Sequence, residues 1–223
     1  MGRKVFIVFA HPERKSLNGH LLDDLVGQLK SQGDEVKVSD LYAMKWKSEV
    51  DVSDFPDYPA DKKFNPQIAS KDYTANGTLT KDVVEEQQKL LWADTILFVF
   101  PIWWFNLPAI LKGWIDRVFS NGFAYNYWEH PELSDPEVLK KKTVSGRNAS
   151  LVVTLGGSPE NAYKPGDPNE VVSKLLSGTL TTFGYSGLNV VKPLYLYGAD
   201  TQSEEKVKEF EEQVRTFAKE LPN

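Results

Sequence analysis

The stretch Lys4-Val5-Phe6-Ile7-Val8-Phe9-Ala10-His11-Pro12-Glu13-Arg14-Lys15-Ser16-Leu17-Asn18 decides the fold. Its first half is an unbroken apolar run of β-branched and aromatic residues. That pattern suits a strand buried on both faces, as in a parallel sheet covered by helices. Its second half turns to charge, proline and small polar residues, then enters a helical pattern over 18–31. Gly33 follows where a left-handed residue closes a helix. The same strand–turn–helix unit returns along the chain. Apolar runs at 35–39, 95–100, 149–154 and 189–197 alternate with helical patterns at 81–92, 107–120, 170–183 and 204–221. Asn106 reads as an N-cap with Pro108 in the first turn, and Thr201 with Glu204 has capping-box spacing. Five such units predict an α/β domain: a doubly wound, five-stranded parallel sheet with helices on both faces. No repeat or linker divides residues 1–223, so one domain is expected. Residues 45–79 leave the alternation and read as a long irregular excursion, of a length that is usually functional or partly disordered.

Composition narrows the function. The 223 residues are 41% hydrophobic and 26% charged, enough apolar material for a sizeable core and too much for a disordered chain. A net charge of -5 argues against a nucleic-acid partner held on a broad basic surface. The absence of cysteine excludes disulfides, thiolate metal ligands and cysteine nucleophiles, and fits a reducing compartment. His11, His20 and His130 are too scattered to form a metal motif. The N-terminal apolar run is too short for a signal-peptide core, and no stretch approaches the ~20 residues of a membrane span. The expectation is a soluble, cytoplasmic protein.

In an open parallel sheet, ligands collect beyond the carboxyl ends of strands near the point where strand order reverses. Three loops fall there. The first, His11 to Asn18, places a helix start at Ser16–Asn18, whose free N–H groups favour an anion such as phosphate. Neither a G-x-G-x-x-G nor a P-loop pattern is present, so dinucleotide-Rossmann and P-loop readings lose their support. The second loop is Pro101-Ile102-Trp103-Trp104-Phe105-Asn106-Leu107-Pro108, three aromatics hemmed by prolines. Flat rings stack on planar heterocycles, although the same rings can serve a core or a subunit interface. The third, Thr154-Leu155-Gly156-Gly157-Ser158, lets backbone approach a ligand without Cβ interference. The parts of an acyl-transfer site are missing. Aromatics at Phe123, Tyr125, Tyr127 and Trp128 suit a pocket lining or a dimer seal, and plain surface packing equally well.

Taken together, these residues resemble the NAD(P)H:quinone oxidoreductases, or DT-diaphorases. The resemblance runs through His11–Arg14 with Ser16 and Asn18, Ser39–Met44, Glu86–Leu90, Phe100–Pro101, Trp104–Phe105, Pro108–Trp114, Arg117–Phe119, Phe123–Tyr127 and Gly156–Ser158. It implies a flavodoxin-like fold, a homodimer and one FAD per active site, with FMN less favoured. Hydride would pass from NADH or NADPH to flavin, and two electrons then to a quinone by a ping-pong route. It implies that His11, Ser16, Leu17 and Asn18 hold the phosphate and ribityl portion, and that Asn65 faces the adenine half. Pro101, Ile102, Trp103, Trp104 and Phe105 would embrace the ring, with Thr154, Leu155, Gly156 and Gly157 at its pyrimidine edge. Trp104 and Phe105 would form the substrate floor, and Tyr125 and Tyr127 would reach it across the dimer boundary. Gly156 and Tyr163 would stabilise the reduced flavin. The family's tyrosine falls one residue earlier than Tyr163, and its following histidine has no counterpart. An FMN-dependent azo- or quinone reductase of the same fold and a non-enzymatic flavin-binding regulator are the competing readings.

Overall fold

The computed structural model describes residues 2–158, 167–200 and 203–222. Its strands are β1 (Lys4–Phe9), β2 (Glu35–Asp40), β3 (Thr95–Pro101), β4 (Asn148–Leu155), β5 (Asn189–Val190) and β6 (Leu194–Tyr197). All pair in parallel, in the order β2-β1-β3-β4, with β5 and β6 both against β4. Six segments therefore occupy the five expected positions. The run at 189–197 is broken because Pro193 has no N–H to give the ladder. The Ser150 hydroxyl fills the gap, lying 3.2 and 3.0 Å from the Val191 and Lys192 carbonyl oxygens.

Alternate residues of β1 feed opposite faces, as the two-residue strand period requires. Val5, Ile7 and Phe9 pack with Leu21, Leu22, Leu25 and Leu29 of α1 (Leu17–Ser31) and with Phe210, Val214 and Phe217 of the C-terminal helix Glu204–Glu220. Phe6 and Val8 join the other core, with Leu90 of α3 (Lys81–Trp92) and Leu111 and Trp114 of α4 (Ala109–Val118). Each fully buried Leu or Phe stabilises by ~1.5–3 kcal/mol. In α1, four such leucines outweigh the low helix propensity of Gly19 and Gly27. The strand β2 differs from expectation: it is a sheet edge and largely exposed.

Several expected boundaries shift. The helix expected at 170–183 is two, α6 (Pro168–Leu175) and α7 (Ser177–Tyr185), broken at buried Leu176 before a Ser-Gly pair. The last helix, α8 (Glu204–Glu220), is capped by Ser203, whose hydroxyl accepts from the Lys206 N–H at 3.2 Å; Thr201 lies outside the described residues. Gly33 does adopt the left-handed conformation, with φ of 86°. A short helix α5 (Pro136–Lys142) was not foreseen.

The excursion is more ordered than its composition suggests. It contains α2 (Pro66–Asn76) and crosses α4 closely enough that a Cβ on Gly113 would lie 1.9 Å from the Ser48 carbonyl oxygen. A buried guanidinium pins it. Arg117 donates to Asp54 from Nε at 2.9 Å, to Asp82 at 2.6 Å and to the Lys47 carbonyl at 3.2 Å, with its cation 4.4 Å from the Trp46 ring centre. Glu86, fully buried beneath, accepts from Ser39 at 3.0 Å, Trp114 at 2.8 Å and Lys89 at 2.5 Å. Among the described residues, no helix is long and apolar enough to cross a membrane.

Candidate active site

The strand order reverses between β1 and β3, and the loops leaving the carboxyl ends of β1, β3 and β4 meet there. They enclose a cleft of about 380 Å³ lined by His11, Ser16, Leu17, Asn18, Pro101, Ile102, Trp103, Thr154 and Gly156, together with Ala199 and Asp200. Nine of the residues expected in the site thus converge.

Local chemistry explains each position. Ser16 caps α1, its hydroxyl accepting from the Gly19 N–H at 3.3 Å. The first turn of α1 carries no acidic residue, so its remaining N–H groups and positive dipole end face the cleft uncancelled. Arg14 adds no charge there: it pairs with Asp23 and donates to the Gly19 carbonyl at 2.7 Å. His11 turns Nδ1 towards the Glu13 backbone, 3.0 Å from both its N and O, which leaves Nε2 for the cleft. Its ring centre lies 6.3 Å from that of Trp103.

Asn18 plays a different part from the one expected. Its buried amide donates to Thr154 Oγ1 at 2.9 Å, and that hydroxyl donates back to Asn18 Oδ1 at 3.1 Å. The side chain therefore ties the first loop to the third, and the ligand-facing donor left at this position is backbone. Leu155 is also buried, and its carbonyl accepts from the Ala199 N–H at 2.8 Å; Gly157 likewise accepts from Gly198 at 3.1 Å. These bonds bring in the loop after β6, which sequence reading missed. Its signal was Gly198 directly after the Leu194–Tyr197 run, at a φ of 81°. A Cβ on Gly156 would lie 2.3 Å from the carboxylate of the exposed Asp200, which would have to swing aside.

Beyond Trp103 the chain makes a two-residue reversal. Trp103 and Asn106 exchange both backbone hydrogen bonds, at 3.1 and 3.0 Å. Trp104 and Phe105 project from it, 94% and 55% exposed. Asn106 is thus no helix cap: Pro108 occupies that place, and Asn106 closes the turn.

Three expected residues lie elsewhere. Tyr125 lines a second cavity of about 500 Å³ with Asp54, Gln67, Ser70, Arg117, Thr182 and Tyr185. Burial pushes its hydroxyl pKa above the ordinary tyrosine value, so it is a neutral donor at physiological pH. Tyr127 lines neither cavity; its ring meets Trp128 edge-on at 5.2 Å. Asn65 is the N-cap of α2, its Oδ1 accepting from Gln67 and Ile68 N–H groups at 3.1 and 3.2 Å. That oxygen is committed to the helix, and Gln67 is the neighbour that reaches the cavity. Tyr163 lies outside the described residues.

A family model described as a flavodoxin-like fold matches residues 3–221. The chain is 42% identical over 98% of its length, and 79% of the relative's, to a ribosyldihydronicotinamide dehydrogenase-like protein, traD, from Penicillium crustosum. It is 38% identical to the mouse ribosyldihydronicotinamide dehydrogenase [quinone], covering 93% and 87% of the two chains. Among solved structures, one assigned as a quinone reductase from Klebsiella pneumoniae superposes with a TM-score of 0.86 at 40% identity, covering 96% and 83%. The strand order, the three-loop cleft and these likenesses agree: the chain belongs to the flavodoxin-like family of flavin-dependent quinone oxidoreductases.

Proposed function

We propose that this oxidoreductase is a homodimer that holds FAD, takes hydride from NADH or NADPH, and releases the oxidised donor before a quinone enters. The observation that carries the reading is the exposed Trp104–Phe105 pair at the mouth of a cleft whose opposite wall is a helix N-terminus. The residues present fit a flavin. Backbone N–H groups at the start of α1, with Ser16 and His11 Nε2, suit a phosphate. The Asp200 carboxylate is an acceptor for ribityl hydroxyls, and Pro101, Ile102 and Trp103 form a flat wall. Bound flavin supplies the two-electron chemistry. The protein's share is charge control and placement. Backbone N–H groups at Gly156 and Gly157, with Thr154 behind them, meet negative charge at the pyrimidine edge, and Tyr163 adds a hydroxyl donor.

Trp104 and Phe105 offer one flat surface, so nicotinamide and quinone bind there in turn. Tyr125, neutral at physiological pH, donates to the acceptor from the partner subunit, and Tyr127 supports the same boundary through Trp128. Gln67, rather than Asn65, faces the adenine half. The preference for FAD over FMN rests on the excursion, which helps to line a second cavity that FMN would leave unused.

The test is direct. The purified protein should be yellow, and flavin released by heat should chromatograph as FAD at about one per chain. It should reduce menadione with NADH or NADPH. Dihydronicotinamide riboside belongs in the same assay, because several relatives bear its name. A colourless protein that takes up neither FAD nor FMN would overturn the reading, as would a fully active monomer.

A further inference from the structure

The aromatic turn is held in a conformation that its own residues disfavour. Trp104 and Phe105 have φ of 47° and 62°, the left-handed region, where large side chains are rare. Two-residue turns with both central φ positive select Asn and Gly, not Trp and Phe. Packing does not hold the pair, since Trp104 is 94% exposed. A hydrogen-bonded frame does. Trp103 N–H donates to Asn106 O at 3.1 Å, and Asn106 N–H donates to Trp103 O at 3.0 Å. Asn106 Oδ1 accepts from the Leu107 N–H at 2.8 Å, where buried Leu107 leads into α4. The other root is tied to β4 through the Ile102 N–H and the Thr154 carbonyl, at 3.0 Å. Three of these four bonds run through Asn106, two by its backbone and one by its side-chain Oδ1, and the last is the one that depends on an Asn at this position.

We infer that Asn106 is a positioning residue: by clamping the turn, it sets the angle at which Trp104 and Phe105 present their rings and so the affinity for a planar quinonoid ligand. The ordering cost of the turn backbone is met during folding, so a ligand meets two rings that leave a fixed base in set directions. The ligand class rests on the quinone-reductase reading above. The clamp itself rests on the turn alone.

The experiment compares Asn106→Ala with Asn106→Asp, which keeps an acceptor at the same reach, each loaded with flavin. The Ala variant should raise the KM for menadione about 10-fold with kcat within about two-fold, as expected for loss of binding shared by ground and transition states. The Kd for menadione, read by tryptophan quenching without electron donor, should rise by the same factor. Flavin content should be unchanged, and the Asp variant should stay near the wild type. Should the Ala variant not fold, Asn106→Gly lacks the same oxygen and must show the same rise. An unchanged Kd, an Asp variant as weak as Ala, or loss of flavin would overturn the inference. A wild type that binds menadione without reducing it would instead overturn the functional reading, leaving Asn106 to be judged by Kd.

Discussion

Two side chains in the left-handed region carry a cost that the rest of the molecule offsets. The penalty is ~1–2 kcal/mol per residue relative to the right-handed region. Strain of this size at an exposed aromatic pair, at the ligand end of the sheet, is where function and stability pull apart. The double variant Trp104→Asn with Phe105→Gly installs the pair that the turn geometry prefers. Its Tm should rise on the order of 5 °C, at 2–4 °C per kcal/mol for a chain of this size. Quinone turnover should fall sharply, because both rings are gone. A variant that is both destabilised and inactive would show that the rings support the fold, and differential scanning calorimetry beside a menadione assay separates the cases. The three consecutive aromatics were legible in the sequence; their backbone conformation was not. Nothing in Trp-Trp-Phe-Asn signals a tight reversal, because turn preferences are written for residues that relieve strain, and these do not.

Among the elements, the excursion shows where pattern reading stops. Its helix α2 is polar and nearly without buried residues, so no apolar period announces it. The end signals were present all the same: Asn65-Pro66 at one end, and at the other Gly77, with φ of 66°. The strands of the buried sheet, in contrast, were readable because burial on both faces demands continuous apolar runs. Tertiary ion pairing is invisible to either pattern, and here it decides stability. Arg117 and Asp54 are nearly inaccessible, with side chains 2% and 6% exposed. Removing one partner of such a pair costs ~3–5 kcal/mol. Because Asp54 keeps the Lys47 ammonium at 3.2 Å and the Asp51 N–H at 3.1 Å, loss of Arg117 falls at the low end of that range. Arg117→Ala should therefore lower Tm by about 10 °C and open the excursion to limited proteolysis near 45–65. Glu170→Gln, which breaks an exposed pair with Lys174 on α6, should change it by less than ~0.5 kcal/mol. Equal effects of the two substitutions would refute the ranking.

At the scale of the whole molecule, the chain ends are joined by one cation. Arg3, just before β1, bonds both carboxylate oxygens of Asp34 and reaches the Leu221 carbonyl at 2.6 Å and the Ala218 carbonyl at 3.2 Å. The N-terminal strand, the first helix–strand turn and the end of α8 thus share a single anchor. Burial alone would raise the pKa of Asp34, but the Arg3 hydrogen bonds and charge outweigh it and hold the pKa below 3.8. Burial likewise works against Asp82, and the Arg117 hydrogen bond and charge bring its pKa below the ordinary aspartate value as well. A carboxyl whose pKa is lower folded than unfolded binds more protons when unfolded, so its contribution is complete above the unfolded value and disappears as pH falls through the folded one. Tm should therefore stay level from about pH 7 to 5 and fall below about pH 4. The Asn variant of Asp34 isolates the anchor. Asp34→Asn should melt lower than the wild type at pH 7, and the gap should close on acidification, because the wild type is then losing the same charge. A gap that stays constant from pH 7 to 3 would mean that the Asp34 charge contributes nothing. Joining of the termini would then rest on the Arg3 bonds to the Ala218 and Leu221 carbonyls, which do not titrate in that range.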